Sequence, residues 1–339
     1  MEKYKIMITG VAGFIGSNVA KRILENGHEV VGIDNLSQGE VLNLVDLKKF
    51  DNFKFHQADI MDENAMKRLS YGCKYICHLA AYKIPRYSDA LDTLKINSEG
   101  SENIAKAAVE NGCKVIAAST SDVYGTNPDV PFHEESKLVM GSPKVKRWAY
   151  AISKMFDEQL FFAYGERYGI DVCMMRFFGG YGPNQNLTWW GGPQSVFINK
   201  AIDNEEIEVH GDGQQTRSFT FIEDHVDGIV RCIEDEKSCG EVFNIGYTKE
   251  ITIENLARLI WKLIRGDEEP KIKFIPYETF GKYEDVMRRI PDITKINTML
   301  GFEPKWHIEE GLTKTIQWQL ERRKLLNMPT PADGFCFKG

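Results

Sequence analysis

No run of apolar residues is long enough to cross a bilayer, and no hydrophobic segment opens the chain, so neither export nor membrane insertion is expected. Cysteine is sparse: seven, an odd number, with no CxxC and no Cys/His spacing that would ligate a metal. Reduced thiols in a cytoplasmic protein without a metal site are the expectation. Positive charge is not in excess; the net charge is −7, which gives no reason to expect nucleic acid or another polyanion as a partner. Low-complexity segments and internal repeats are absent too. What remains is a chain of 339 residues, enough for one large α/β unit plus a smaller one with ample core.

The most informative stretch runs from Lys5 to Asp34. Ile6 to Ile8 reads as a buried strand, and glycines follow at Gly10, Gly13 and Gly16. Ser17 to Asn26 has helical spacing, with Val19, Ala20, Ile23 and Leu24 on one face, and Gly27 stops it. A second strand, Glu29 to Ile33, ends on Asp34. Any strand–helix turn can use three glycines. Strand before, helix after and an acid at the next strand end favour a dinucleotide site instead. Gly10 then allows the tight exit, Gly13 the backbone approach to a pyrophosphate, and Gly16 close helix packing. Phe14 and Ile15, between the glycines, are assigned to the cofactor with them, and the helix N-terminus that follows faces the phosphates. Asp34, with Asn35 beside it, would hold the ribose hydroxyls and repel a 2′-phosphate, which favours NAD over NADP.

Downstream, strand and helix alternate. Phe53 to Gln57 reads as a strand leading to Ala58-Asp59-Ile60, where an acid could meet an adenine amino group. Tyr75 to Leu79 is another, with the small residues Ala80 and Ala81 just after Leu79 to let a cofactor backbone lie close. A helix is expected from about 88 to 111, and Val115 to Ala118 as the next strand. This rhythm predicts a parallel, doubly wound sheet whose ligands sit beyond the strand carboxyl ends. Ser119 to Gly125 follows such an end. Further on, Trp148 to Lys154 opens a helix to about Tyr168, and Tyr150 and Lys154, four apart, share one face. An ammonium near a phenol lowers its pKa, so Tyr150 could take a proton from a sugar hydroxyl while hydride leaves the same carbon. Thr120 would hydrogen-bond the reacting oxygen. A lone YxxxK is as well explained by an amphipathic helix; the preceding turn and strand end favour chemistry.

Taken together, TGVAGFIG, DNLS, HLAA, STSDVYG, YAISK and RFFGGYGP occur in an order that resembles the extended short-chain dehydrogenase/reductases that modify nucleotide sugars. The likeness continues through Ile207 to Phe221 and Arg288 to Pro304, so it covers almost the whole chain. It implies an α/β fold: a Rossmann domain binding NAD over 1–178, with 221–247 returning to it, and a smaller, mixed α/β nucleotide-sugar domain over 179–339. It also implies a catalytic set of Thr120, Tyr150 and Lys154, with Lys154 on the nicotinamide ribose, and Arg217 and Arg289 clamping the nucleotide diphosphate. A homodimer through the helices around 92–111 and 148–168 is implied as well.

In this resemblance oxidation at sugar C4 gives a 4-keto intermediate, after which epimerases, 4,6-dehydratases and decarboxylases diverge. Ser121-Asp122 after Thr120 lacks the Asp-Glu of dTDP-glucose dehydratases. Asp122 is one methylene shorter than the Glu of decarboxylases and serves either catalysis or loop orientation. An NAD-dependent 4-epimerase acting on a UDP-hexose or UDP-hexuronate is the first expectation, with a decarboxylase or 4,6-dehydratase as the alternative; a plain 4-dehydrogenase and a catalytically dead NAD sensor rank lower. Gly179 stands where the resemblance has an Asn that contacts the substrate. Lys83 and Arg86, just past the cofactor edge, could receive a uronic-acid carboxylate or a phosphate, or face solvent.

Overall fold

Four short apolar runs become the central strands of a parallel sheet. In the computed structural model, which describes residues 2–83, 89–280 and 286–337, β1 (Lys5–Thr9), α1 (Phe14–Glu25), β2 (Glu29–Asp34), β3 (Phe53–Gln57), α2 (Glu63–Leu69), β4 (Tyr75–His78), α3 (Ala90–Asn111), β5 (Lys114–Thr120), α4 (Trp148–Tyr168) and β6 (Val172–Phe177) follow one another. They alternate between sheet and covering layers. Within β1, Ile6 and Ile8 pack toward one side and Met7 toward the other, all fully buried. A strand covered on both faces needs that continuous apolar character.

Beyond β6 come β7 (Gly180–Tyr181), α5 (Pro193–Ile202), β8 (Ile207–His210), β9 (Thr216–Ser218), β10 (Thr220–Phe221), α6 (Ile222–Glu234) and β11 (Glu241–Ile245). The seven-stranded sheet has the order β11-β6-β5-β4-β1-β2-β3, every pair parallel. The expected doubly wound parallel sheet is therefore present. Its direction of winding reverses between β1 and β4, and ligands of such sheets bind at that point. Helices α3 and α4 pack together on one face, and α1 with α6 on the other.

The last part comprises β12 (Glu250–Thr252), α7 (Ile253–Arg265), β13 (Ile272–Ile275), β14 (Arg288–Arg289), α8 (Thr294–Leu300) and α9 (Ile308–Leu325). Strands β12, β9 and β14 form a small mixed sheet. Thr252 caps α7 by accepting from the Asn255 N–H at 3.1 Å. The tail after α9 is tied down: Ala332 N–H donates to Ile202 O at 3.1 Å and Cys336 N–H to Ile264 O at 3.0 Å. Helix α1 starts at Phe14, three residues before the expected Ser17, because the apolar periodicity that marks its buried face begins only in its second turn. Strand β6 and helix α2 were not anticipated as separate elements; only the last two residues of β6, Arg176 and Phe177, fall in the RFFGGYGP motif.

Candidate active site

The glycine turn after β1 is fixed by contacts only glycine permits. Gly10 has φ +73°, and a Cβ there would lie 2.9 Å from Ala80 N. A Cβ on Gly16 would lie 2.1 Å from Gly10 O, so the helix can approach the strand only without a side chain. Gly13 differs: a Cβ there would meet nothing within 4 Å but Gly10 O, at 3.1 Å, which leaves its outer side open as a phosphate approach requires. Asp34 holds the turn from below. Its Oδ2 accepts from Ala12 N–H at 2.9 Å and its Oδ1 from Leu36 N–H at 2.8 Å, while burial raises its pKa. Asn35 donates to Asp59 Oδ2 at 2.9 Å, joining the ends of β2 and β3. Ile60 lies against Gly100 of α3, where a Cβ would stand 2.4 Å from Ile60 Cδ1. Phe14 and Ile15 pack against the core, and Leu79, Ala80 and Ala81 line the β4 exit half-buried. The glycine turn, Asp34 and the β4 exit lie at the winding reversal, and an open glycine backbone, a helix N-terminus and an acid at the next strand end suit a dinucleotide there.

Thr120 ends β5, and its Oγ1 accepts from the Asp122 N–H at 3.2 Å. Below it, Glu158 on α4 receives Arg176 of β6 through two hydrogen bonds, 2.9 and 2.7 Å, and the Ser119 hydroxyl at 2.5 Å. Arg176 also donates to the Tyr124 hydroxyl at 3.0 Å, which itself donates to Asn244 Oδ1 at 2.7 Å. This buried polar node locks β5, β6 and α4 in register beneath the candidate residues. Asn97 of α3 donates to the Ser153 hydroxyl at 2.9 Å and to Tyr82 O at 3.2 Å, and accepts from Tyr82 N–H at 2.7 Å. Asn97 thus joins the β4 exit to the helix that carries Tyr150 and Lys154.

Charge concentrates on Asp122. Arg289 Nη1 lies 2.7 Å from its Oδ1 and Arg147 Nη2 3.7 Å from the same oxygen. Burial pushes this carboxyl up, but Arg289, Arg147 and Lys83 together outweigh it and bring it down to about 2. Lys83 is in turn lowered, by burial first, with Asp122 opposing. Backbone bonds set Arg289 here: Phe132 N–H donates to Ile290 O at 2.9 Å, and Asp292 N–H to Phe132 O at 2.7 Å. Across β9 and β14, Arg217 and Arg289 are direct neighbours in register. Arg217 Nη1 donates to Thr216 O at 2.7 Å. Arg289 Nε and Nη2 are buried donors with no hydrogen-bond partner among the described residues, which suits an anion. Arg86 lies outside the described residues.

Lys154 Nζ pairs with Asp157 Oδ2 at 3.0 Å, and burial first, then Asp122 and Asp157, raise the Tyr150 phenol above its ordinary value. At Gly179, a Cβ would stand 3.0 Å from Phe219 Cδ1 and 3.2 Å from Ser218 O, so the aromatic ring occupies the side from which an Asn would reach out. Sequence reasoning missed Arg147 and Asp157 altogether. Both lie three residues from a candidate residue on one helix, a spacing that could have flagged them. Among the described residues no group of three or more His, Cys, Asp or Glu could hold a metal. No helix among them is long and apolar enough to cross a membrane.

Fold and site together define an extended short-chain dehydrogenase/reductase of the kind that works on nucleotide sugars. More particularly, residues 7–315 match the family described as GDP-mannose 4,6 dehydratase, and the chain belongs to that family. It is similar to UDP-N-acetyl-alpha-D-glucosaminuronate decarboxylase of Bacillus cytotoxicus, 35% identical over 93% of this chain and 98% of the relative. It is also similar to UDP-glucuronate 4-epimerase of Thermodesulfobacterium geofontis, 34% identical over 94% of this chain and 97% of that one. The crystal structure of UDP-glucuronic acid 4-epimerase from Bacillus cereus, in complex with UDP-glucuronic acid and NAD, superposes with a TM-score of 0.85 at 26% identity, covering 94% of this chain and 99% of that one. Decarboxylases and epimerases both stand among the relatives, so membership fixes the nucleotide-sugar family and leaves the final step to the site.

Proposed function

We propose that this protein is an NAD-dependent 4-epimerase of a UDP-hexuronate. The observation that carries the reading is the state of Asp122. The three cations around it keep it ionised far below neutral pH, so it is no proton donor at the point where a 4,6-dehydratase needs one. An epimerase needs only Tyr150 to exchange a proton with the C4 oxygen. Lys83, Arg147 and Arg289 bring three positive charges against one carboxylate, an excess that favours an acidic sugar and a diphosphate.

In this reading NAD lies over Gly10, Gly13 and Gly16 with its adenosine ribose on Asp34, and takes hydride from C4 and returns it to the other face. Thr120 Oγ1 orients the C4 hydroxyl. Tyr150 accepts the C4 hydroxyl proton as hydride leaves and gives it back on return. Lys154 steadies the nicotinamide ribose, and Arg217 and Arg289 bind the diphosphate. The decarboxylase reading is kept alive by one observation: a carboxylate stands two residues after Thr120 with an arginine 2.7 Å away, where a 4-keto uronate would meet both. The test is to incubate the protein with UDP-glucuronate and weigh the product. An isomer of unchanged mass supports the epimerase; loss of carbon dioxide replaces it with the decarboxylase.

A further inference from the structure

The chain buries an acid that neither the family's implied chemistry nor the proposed reaction uses. Residues 150, 154 and 157 lie along one stripe of α4, four and three apart. Lys154 Nζ and Asp157 Oδ2 are 3.0 Å apart, and both side chains are 1% exposed. We propose that Asp157 is a positioning residue, which draws the Lys154 ammonium to the core side of α4 and so governs how much of that charge reaches the Tyr150 phenol. This rests on the assignment of Tyr150 as the proton acceptor.

The surroundings argue for it. From β4, His78 faces Lys154 and stays neutral, lowered to about 3 by burial first and then by that ammonium. Its ring is held between the Thr9 hydroxyl of β1 at 2.8 Å and the Ser101 hydroxyl of α3 at 3.2 Å. Ser101 also faces Asp157, the carboxylate next to it in turn being Glu158. Glu158 is taken up by Arg176 of β6 and Ser119 of β5, so it offers nothing to the ammonium. Asp157 is therefore the one carboxylate among the described residues paired with Lys154, and burial raises it. On the other side, Asp122 faces Tyr150 but is occupied by Arg289, Arg147 and Lys83. The phenol thus feels two carboxylates while its helical neighbour's charge is spent one turn further on. A group that takes up the charge of a lysine placed for catalysis sets where its tyrosine ionises.

The test compares wild type, Asp157→Asn and Asp157→Glu, each loaded with NAD. The Tyr150 ionisation is read as the ultraviolet phenolate signal lost in Tyr150→Phe. Asp157→Asn is expected to move it down by about one pH unit, the scale for removing a like charge close by. The acid limb of the pH–rate profile should follow, so turnover on that limb rises about tenfold, one decade per pH unit. Asp157→Glu should keep the wild-type position. If the Asn variant does not fold, Asp157→Ser, which leaves room for a water beside the ammonium, is titrated in its place. An ionisation that stays where wild type has it in the neutral variant overturns the proposal: the pair then only stabilises the helix. Full turnover by Tyr150→Phe is a separate result and sinks the assignment of Tyr150 instead.

Discussion

Replacing Asp122 by Asn separates the two roles that the carboxylate could have. A carboxyl ordinarily at 3.8 but held at about 2 in the folded protein contributes about 2 kcal/mol to stability at neutral pH, at 1.36 kcal/mol for each pKa unit. Its side chain is 29% exposed, so solvent trims this figure without removing it. The sign is fixed by the downward displacement. The contribution is complete above the unfolded value of 3.8 and is lost as pH falls through the folded value of about 2. Equilibrium urea unfolding of both proteins from about pH 7 to about pH 3 should show a gap of about 2 kcal/mol that narrows at the acid end. A gap that is absent at neutral pH, or constant throughout, refutes the charge arrangement. Turnover on UDP-glucuronate is the second arm. An ionised anchor can be made neutral with a loss within about tenfold, whereas loss of a general acid costs roughly 100- to 10,000-fold. A fall of the latter size would make Asp122 a proton donor and hand the assignment to the dehydratase.

Other expectations follow from single contacts. Tyr150→Phe should lose roughly 100- to 10,000-fold in turnover while NAD binding, followed by fluorescence quenching, stays within about twofold. Gly16→Ala drives a Cβ to 2.1 Å from Gly10 O, which is backbone and cannot swing away, so NAD affinity and melting temperature should both fall. Arg176→Met strands the buried Glu158 carboxylate and should cost about 3–5 kcal/mol in urea unfolding, a penalty that Glu158→Gln in the same chain partly relieves.

The parts of the site visible in the sequence are those written within one turn or one helix. The Gly10–Gly16 turn with Asp34 at the next strand end is such a unit, and so is the four-residue step from Tyr150 to Lys154. Where the charge goes was not visible. Arg289 reaches Asp122 from a strand more than a hundred and fifty residues away, set by backbone bonds to Phe132, and no local pattern announces that. Asp157 shows why spacing alone misleads: Tyr150 lies four residues before Lys154 and Asp157 three after it, and the ammonium pairs with the carboxylate at 3.0 Å. Likewise only the fold brings Phe219 beside Gly179, where an added Cβ would stand 3.0 Å from its ring.

The outermost strand of the large sheet carries a consequence for how the chain must be made. Strand β11 lies against β6, yet a ribosome delivers residues 178–240 between them. Until residue 245 has emerged, the apolar β6 stands with an open ladder on one side, ready to recruit a foreign strand. A fragment cut after residue 178 would hold nearly every group assigned to NAD and still be expected to clump, and such distant pairing slows folding of the intact chain.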